Sequence, residues 1–198
     1  MKLHYAGASP FVRKVMICAV IRGLDNKIER VSSNPHQSPA DLLADNPLSR
    51  VPAMVTDSGD TLYDSPVICE YLDTLGDAAP LIPPAGPARV AALKWQALGD
   101  GIMDAAVARR MQAAVPQDEA RVAFGVRQAA VVSRALDVLE QSDLAGPLEI
   151  GRITIGCALG YLDFRFAHED WKTARPKLAA WWKGVSTQRG FAETVPVG

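Results

Sequence analysis

The 198-residue chain has no long hydrophobic run, no surplus of one charge and no paired-cysteine motif. Each shortage closes off a class of function. The longest unbroken apolar run, Val15 to Ile21, has seven residues, far short of the roughly 20 that a membrane-spanning helix needs. Arg13 and Lys14 precede it in the manner of a signal peptide, but Arg22-Gly23-Leu24-Asp25 stands where a small-residue cleavage site belongs. Lys and Arg number 21 against 22 Asp and Glu, so the basic field of a general nucleic-acid binder is missing. The three cysteines, Cys18, Cys69 and Cys157, are odd in number and widely spaced. They form no CxxC, and with His4, His36 and His168 they make no metal-ligand pattern. The expectation is a cytoplasmic protein with no metal and with neither a membrane nor a nucleic acid as partner.

What the chain does contain falls into two halves. Lys2-Leu3-His4-Tyr5 reads as a strand. Val12, Val15, Met16, Ala19 and Val20 then share one face of a helix, with Arg22 in its last turn and Gly23 as its stop. Lys27-Ile28-Glu29-Arg30-Val31 alternates as a second strand, and a weak helix follows from Pro39 to Ala44. Ala53 to Thr56 and Thr61 to Tyr63 flank Asp57-Ser58-Gly59-Asp60, a hairpin signal. Ser65-Pro66 opens another helix, running through Leu75. The order is βαβ followed by ββα. Gly76 to Pro87 is rich in Pro and Gly and reads as a linker. Beyond it only helices are expected: Val90 to about Ala114, a second restarting near Pro116-Gln117-Asp118 and ending near Leu139, then Thr154 to Ala167 and Pro176 to Val185. The fold class is α+β, with a small α/β domain over 1–77, a linker over 78–87 and an all-helical domain over 88–198.

The junction Ser9-Pro10-Phe11-Val12 is chemically distinctive. Ser9 is placed as an N-cap, and Pro10 takes the first helical position, where its missing N–H costs nothing. Free N–H groups and the helix dipole at such a junction favour a thiolate, yet the chain supplies a hydroxyl. A thiol reacting here belongs to a bound ligand. Arg13 and Lys14 read as a solvated helix face, and Cys18 and Cys69 as inert core thiols.

Three segments combine in order and spacing: Ser9-Pro10-Phe11-Val12-Arg13-Lys14-Val15, Asn46-Pro47-Leu48-Ser49-Arg50-Val51-Pro52-Ala53-Met54, and Asp64-Ser65-Pro66-Val67-Ile68-Cys69-Glu70-Tyr71-Leu72. Together they resemble the cytosolic glutathione S-transferase superfamily, closest to small bacterial members with an SPFVRKV first helix. The likeness covers the N-terminal domain motif by motif and the C-terminal half by its helical layout. It implies a thioredoxin-like first domain, glutathione as co-substrate and a homodimer. In the family the bond matching Val51-Pro52 is cis and leads into an edge strand, exposing the preceding residue's backbone to the cysteinyl unit of glutathione. Ser65 and the helix N-terminus would meet the γ-glutamyl carboxylate, and Asp64, where most relatives carry Glu, its ammonium. Arg50 would steer the anionic tripeptide. His36 or Gln37 would approach its glycyl end.

The resemblance implies a transferase that activates the glutathione thiol against a small apolar electrophile. A glutathione-dependent isomerase or peroxidase, or a non-catalytic protein of the same fold, are the alternatives. Ser9 is the expected activating hydroxyl, and Tyr5 is assigned to packing. Redox-active relatives read Cys-Pro-aromatic-Cys at this turn. Here Ser9 and Val12 hold the outer positions, so direct protein-cysteine redox is not expected, although two glutathione molecules would still suffice to reduce a disulfide or peroxide. Phe11, Met103, Val107, Arg110 and Met111 are expected to line the second-substrate site between the domains, with Asp104 a candidate contact across a dimer. Thr154-Ile155-Gly156-Cys157 reads as a helix cap that has lost the acidic end of a capping box, a loss of about 1 kcal/mol.

Overall fold

The structure, a computed structural model, describes residues 1–198. It divides into two compact units: Met1–Arg89 together with Arg189–Gly198, and Val90–Gln188.

The first unit is built on a four-stranded sheet in the order β2-β1-β3-β4. The strands are β1 (Lys2–Tyr5), β2 (Glu29–Ser32), β3 (Ala53–Val55) and β4 (Thr61–Leu62). Parallel strands need a crossover, and α1 (Pro10–Ile21) supplies it between β1 and β2. β3 runs antiparallel to β1, and the β3–β4 hairpin turns through Gly59 at φ +92°. With α2 (Ala40–Asp45) and α3 (Ser65–Asp73) the unit is thioredoxin-like. β3 is not the expected edge strand. It pairs with β1 on one side and β4 on the other, because the hairpin adds β4 outside it, and the edges are β2 and β4.

Val12, Val15, Met16, Ala19 and Val20 are all buried, as the helical spacing requires. The expected solvated face of Arg13 and Lys14 is corrected: they are 7% and 0% exposed. The short helix α8 (Arg189–Ala192) belongs to this unit and lies on α1. Arg13 donates to the carbonyl of Phe191 at 3.1 Å and sits over its ring, and a Cβ on Gly190 would stand 2.9 Å from Ile17 Cγ2. The sequence pattern of α1 records only its hydrophobic periodicity, so a covering segment 170 residues away leaves no local trace. The Pro/Gly-rich stretch after α3 has no regular element, but it is tied down. Buried Arg22 donates to the carbonyls of Asp73, Leu75 and Ala78, and the Asp73 carboxylate accepts from the amides of Leu81 (2.7 Å) and Ile82 (2.9 Å).

The chain enters the second unit within α4 (Gly86–Ala113) and continues through α5 (Glu119–Glu140), α6 (Ile150–Arg165) and α7 (Pro176–Val185). α6 is the core helix, buried from Ile150 to Leu162 at every residue but Arg152. Its backbone approaches α4 closely: a Cβ on Gly151 would lie 2.6 Å from the Ala92 carbonyl oxygen, and one on Gly99 2.9 Å from the Thr154 carbonyl carbon. The expected start of this helix at Thr154 is corrected. α6 begins at Ile150, capped by Glu149, whose carboxylate accepts from Gly151 N (2.8 Å) and Arg152 N (2.9 Å). Thr154 is wholly buried inside the helix and donates its hydroxyl to Ile150 O at 2.7 Å. No capping box is lost, because the cap is elsewhere. No helix is long and apolar enough to cross a membrane.

Candidate active site

The register of the sheet gathers the motifs. Tyr5 pairs with Ser32, His4 with Ala53, and Met54 with Leu62. The chain therefore leaves β1, leaves β2, enters β3 and leaves β4 at one end of the sheet. Those four connections carry Ser9, the Ser33–Gln37 stretch, Val51-Pro52 and Asp64-Ser65.

Ser9 is the N-cap of α1, with φ −80° and ψ 121°. Its amide donates to Ala6 O at 3.0 Å, and its Oγ accepts from Val12 N at 3.3 Å. A hydroxyl has one proton and two lone pairs. The cap occupies one lone pair, so the proton remains for an anionic partner. Half-buried Tyr5 lies under the Arg30 guanidinium, 5.8 Å from its ring centre.

The Val51–Pro52 peptide is cis, as is Tyr63–Asp64. Strand pairing begins at Ala53 and leaves Val51 outside the ladder. Asn46 shapes the approach to it. Buried to 1% exposure, it accepts from Leu48 N at 3.0 Å and donates to Arg50 O at 2.9 Å, while Ser49 sits at φ +50°. Arg50 itself is exposed. Asp64 is the N-cap residue of α3, but its carboxylate makes no cap bond. It is exposed and unspent, and Ser65 behind it is buried. His36 and Gln37 are both exposed in a 3₁₀ turn capped by Asn34.

Sequence reasoning missed several supports. Gly7 is held by the C-terminal stretch: Val197 N donates to Gly7 O at 3.3 Å, and a Cβ on Gly7 would stand 2.7 Å from Val197 Cγ2. His4, read as a plain strand residue, is wholly buried between Ser33 and Asp45. Lys2 pairs with Asp45 at 2.6 Å. That hydrogen bond, more than the one from His4, holds the Asp45 carboxyl below its ordinary 3.8. The Asn-Pro pair at 46–47 was the one available local signal, since Asn side chains fold turns onto their own backbone.

The first unit matches the family model "Glutathione S-transferase, N-terminal domain" over residues 8–75. Over 201 aligned residues the chain is 33% identical to the uncharacterized GST-like protein YibF of Escherichia coli K12, covering 99% of this chain and 98% of that one. The chain belongs to the glutathione S-transferase family. The structure of a glutathione transferase family member from Pseudomonas fluorescens Pf-5 with bound glutathione superposes with a TM-score of 0.95, at 40% identity, over 100% of this chain and 99% of that one. A second structure from that organism, with bound S-(propanoic acid)-glutathione, gives 0.90 at 38% identity, with 100% of both chains covered.

In this glutathione S-transferase family member, Phe11 belongs to the first unit and is half-buried beside Ser9 in sequence. Met103, Asp104, Val107, Arg110 and Met111 all lie on α4 in the second. Spacing puts 103, 107, 110 and 111 on one helical face. Met103 is wholly buried, Val107 and Met111 are half-buried, and Asp104 and Arg110 are exposed. Cys18, Cys69 and Cys157 form no disulfide and are buried.

Proposed function

We propose that the protein is a glutathione S-transferase in which the Ser9 hydroxyl activates the thiol of bound glutathione. The carrying observation is that Ser9 accepts a bond from Val12 N and keeps its proton available, at the helix N-terminus where α1 begins. Relatives crystallised with glutathione and with S-(propanoic acid)-glutathione support this reading.

In the proposed complex the Val51 backbone pairs with the cysteinyl unit of glutathione by strand-like addition. Ser65 and the first amides of α3 receive the γ-glutamyl carboxylate, while the unspent Asp64 carboxylate accepts from the ammonium. Arg50 draws in the anionic tripeptide. Free glutathione resembles cysteine, with a thiol pKa of about 8.5, so only a few per cent is thiolate at neutral pH. The Ser9 O–H and the helix N-terminus stabilise that anion. The thiolate then attacks an electrophilic carbon and forms a C–S bond. The displaced group leaves with the electron pair, or, in addition to an activated double bond, the carbanion takes a proton from water. Phe11 and, on α4, Val107, Arg110 and Met111 are proposed to bind the second substrate, a small electrophile with an apolar body, whereas Met103 is wholly buried and packs in the core instead. We further propose a homodimer, supported by the exposed Val122 and Val126 four residues apart on α5, with Asp104 as a cross-subunit contact.

Calorimetry with glutathione and with an S-alkyl glutathione tests the reading. It expects saturable binding of both below millimolar concentration. Absence of binding would leave a non-catalytic protein of the same fold.

A further inference from the structure

His4 occupies a strand position where an apolar side chain would pack at no electrostatic cost. Instead a titratable ring is wholly buried, a placement that is expensive unless its polar atoms are paired. Both are paired: Nδ1 lies 2.8 Å from Ser33 Oγ, and Nε2 2.8 Å from Asp45 Oδ2. The Asp45 carboxylate only accepts, so Nε2 carries a proton and donates. In the neutral ring Nδ1 then accepts from the Ser33 hydroxyl. If the ring is protonated, Nδ1 donates to Ser33 Oγ, and the hydroxyl turns to Val31 O at 3.3 Å. The linkage is satisfied in either state.

What the ring joins is informative. Ser33 directly follows β2, and Asp45 is the last residue of α2. One imidazole thereby pins both ends of the 34–44 stretch, which carries His36 and Gln37 exposed at the sheet end where Ser9, Val51 and Asp64 also lie. Two more bonds tie the same stretch to the residue before Arg50. Ser49 Oγ bonds Ser38 Oγ at 2.9 Å and Pro35 O at 3.2 Å.

We propose that His4 is a positioning residue: it clamps Ser33 to Asp45 and so fixes the 34–44 stretch that holds the glycyl end of glutathione. This rests on the glutathione-binding reading above. His4 touches no substrate in this account. It acts by pre-ordering the exposed donors of the loop, so that binding does not have to order them.

The test compares glutathione with γ-glutamylcysteine, which lacks the glycyl unit, by calorimetry on the wild type, His4→Phe, His4→Gln and Ser33→Ala. The wild type should prefer glutathione. His4→Phe, which breaks both bonds, should weaken glutathione about tenfold and leave γ-glutamylcysteine within about twofold. His4→Gln, whose amide can still reach Asp45, should recover part of the loss, and kcat at saturating glutathione should be unchanged. Ser33→Ala cuts one arm of the clamp and carries the test should His4→Phe not fold. Equal loss for both ligands, no loss, or a wild type indifferent to the glycyl unit would overturn the clamp alone. A wild type that binds neither ligand would overturn the glutathione reading, and the clamp with it.

Discussion

At the scale of single residues, the proposed chemistry turns on a hydroxyl given two jobs. One Ser9 lone pair caps Val12 N and ties down the side chain, and in the proposed complex the hydroxyl proton turns to the bound sulfur. Removing it should raise the barrier by about 1.4 kcal/mol, a tenfold fall in rate. Ser9→Ala is therefore expected to lower kcat/KM for conjugation of a reactive haloarene at least about tenfold, while Tyr5→Phe changes it little. Equal small effects in steady-state assays of the two variants would remove the hydroxyl mechanism. Lys2 offers a second check. Its hydrogen bond holds the Asp45 carboxyl below 3.8 in the folded state, so the pair contributes stability above that value and loses it as pH falls through the lower, folded one. Lys2 is partly exposed, so the contribution is at most about 1 kcal/mol. Melting curves of Lys2→Ala should lie slightly below the wild type at neutral pH and converge with it as pH falls well below 3.8. A gap that persists in acid would mean that Lys2 stabilises the fold by other contacts. The Ser9 cap was legible in the sequence because capping is a local affair of four residues. The burial of Arg13 was not, since Phe191 and Thr194 reach it from the far end of the chain.

At the scale of elements, proline marked several helix starts but was not a sure guide: α4 begins at Gly86-Pro87, inside the stretch that reads as a linker and four residues before the expected Val90. α1, α3 and α7 each carry Pro in the first turn, and each begins within a residue of where the sequence places it. α6 lacks that mark. Its N-cap is Glu149, a residue rarely used for the purpose, while Thr154 five residues on has the side chain that usually caps. The structure assigns them opposite roles, and mutation separates the two. Glu149→Ala frees the amides of Gly151 and Arg152 and should cost about 1 kcal/mol in chemical denaturation. An equal cost from moving the cap to Thr154 is not expected, because the Thr154 hydroxyl is already used by Ile150 O within the helix. A Glu149→Ala variant as stable as the wild type would show that the end of α6 is held by packing alone. The hairpin strands β3 and β4 were visible through Gly59. The position of β3 inside the sheet was not, because strand order is set by non-local pairing that alternation does not encode.

At the scale of the whole molecule, the division into an α/β unit and a helical unit follows from a change of pattern, strand and helix periods alternating before Gly76 and the helical period alone after it. The return of residues 189–198 to the first unit has no such signature, for four helical residues carry too little periodicity to read. The candidate site was legible for a different reason. Its parts are turn devices (a capped Pro helix, an X-Pro bond, an acidic-Ser cap), and turns demand particular residues. The scaffold under those turns was illegible at His4 and Gly7, whose partners are distant in sequence, and left a local trace only at Asn46, whose side chain bonds Leu48 N and Arg50 O. The proposed homodimer yields a prediction at this scale. Val122→Asp with Val126→Asp, both on an exposed face of α5, should convert a dimer to a monomer in analytical ultracentrifugation while leaving the helical circular dichroism unchanged. Unaltered sedimentation would place the subunit contact elsewhere. The central claim is that Ser9 stabilises a bound thiolate, and titration of the protein–glutathione complex by ultraviolet thiolate absorbance tests it most directly. The account predicts a thiol pKa at least about one unit below the free value of about 8.5, returning towards it in Ser9→Ala. A bound thiol that titrates like free glutathione in the wild type would contradict it.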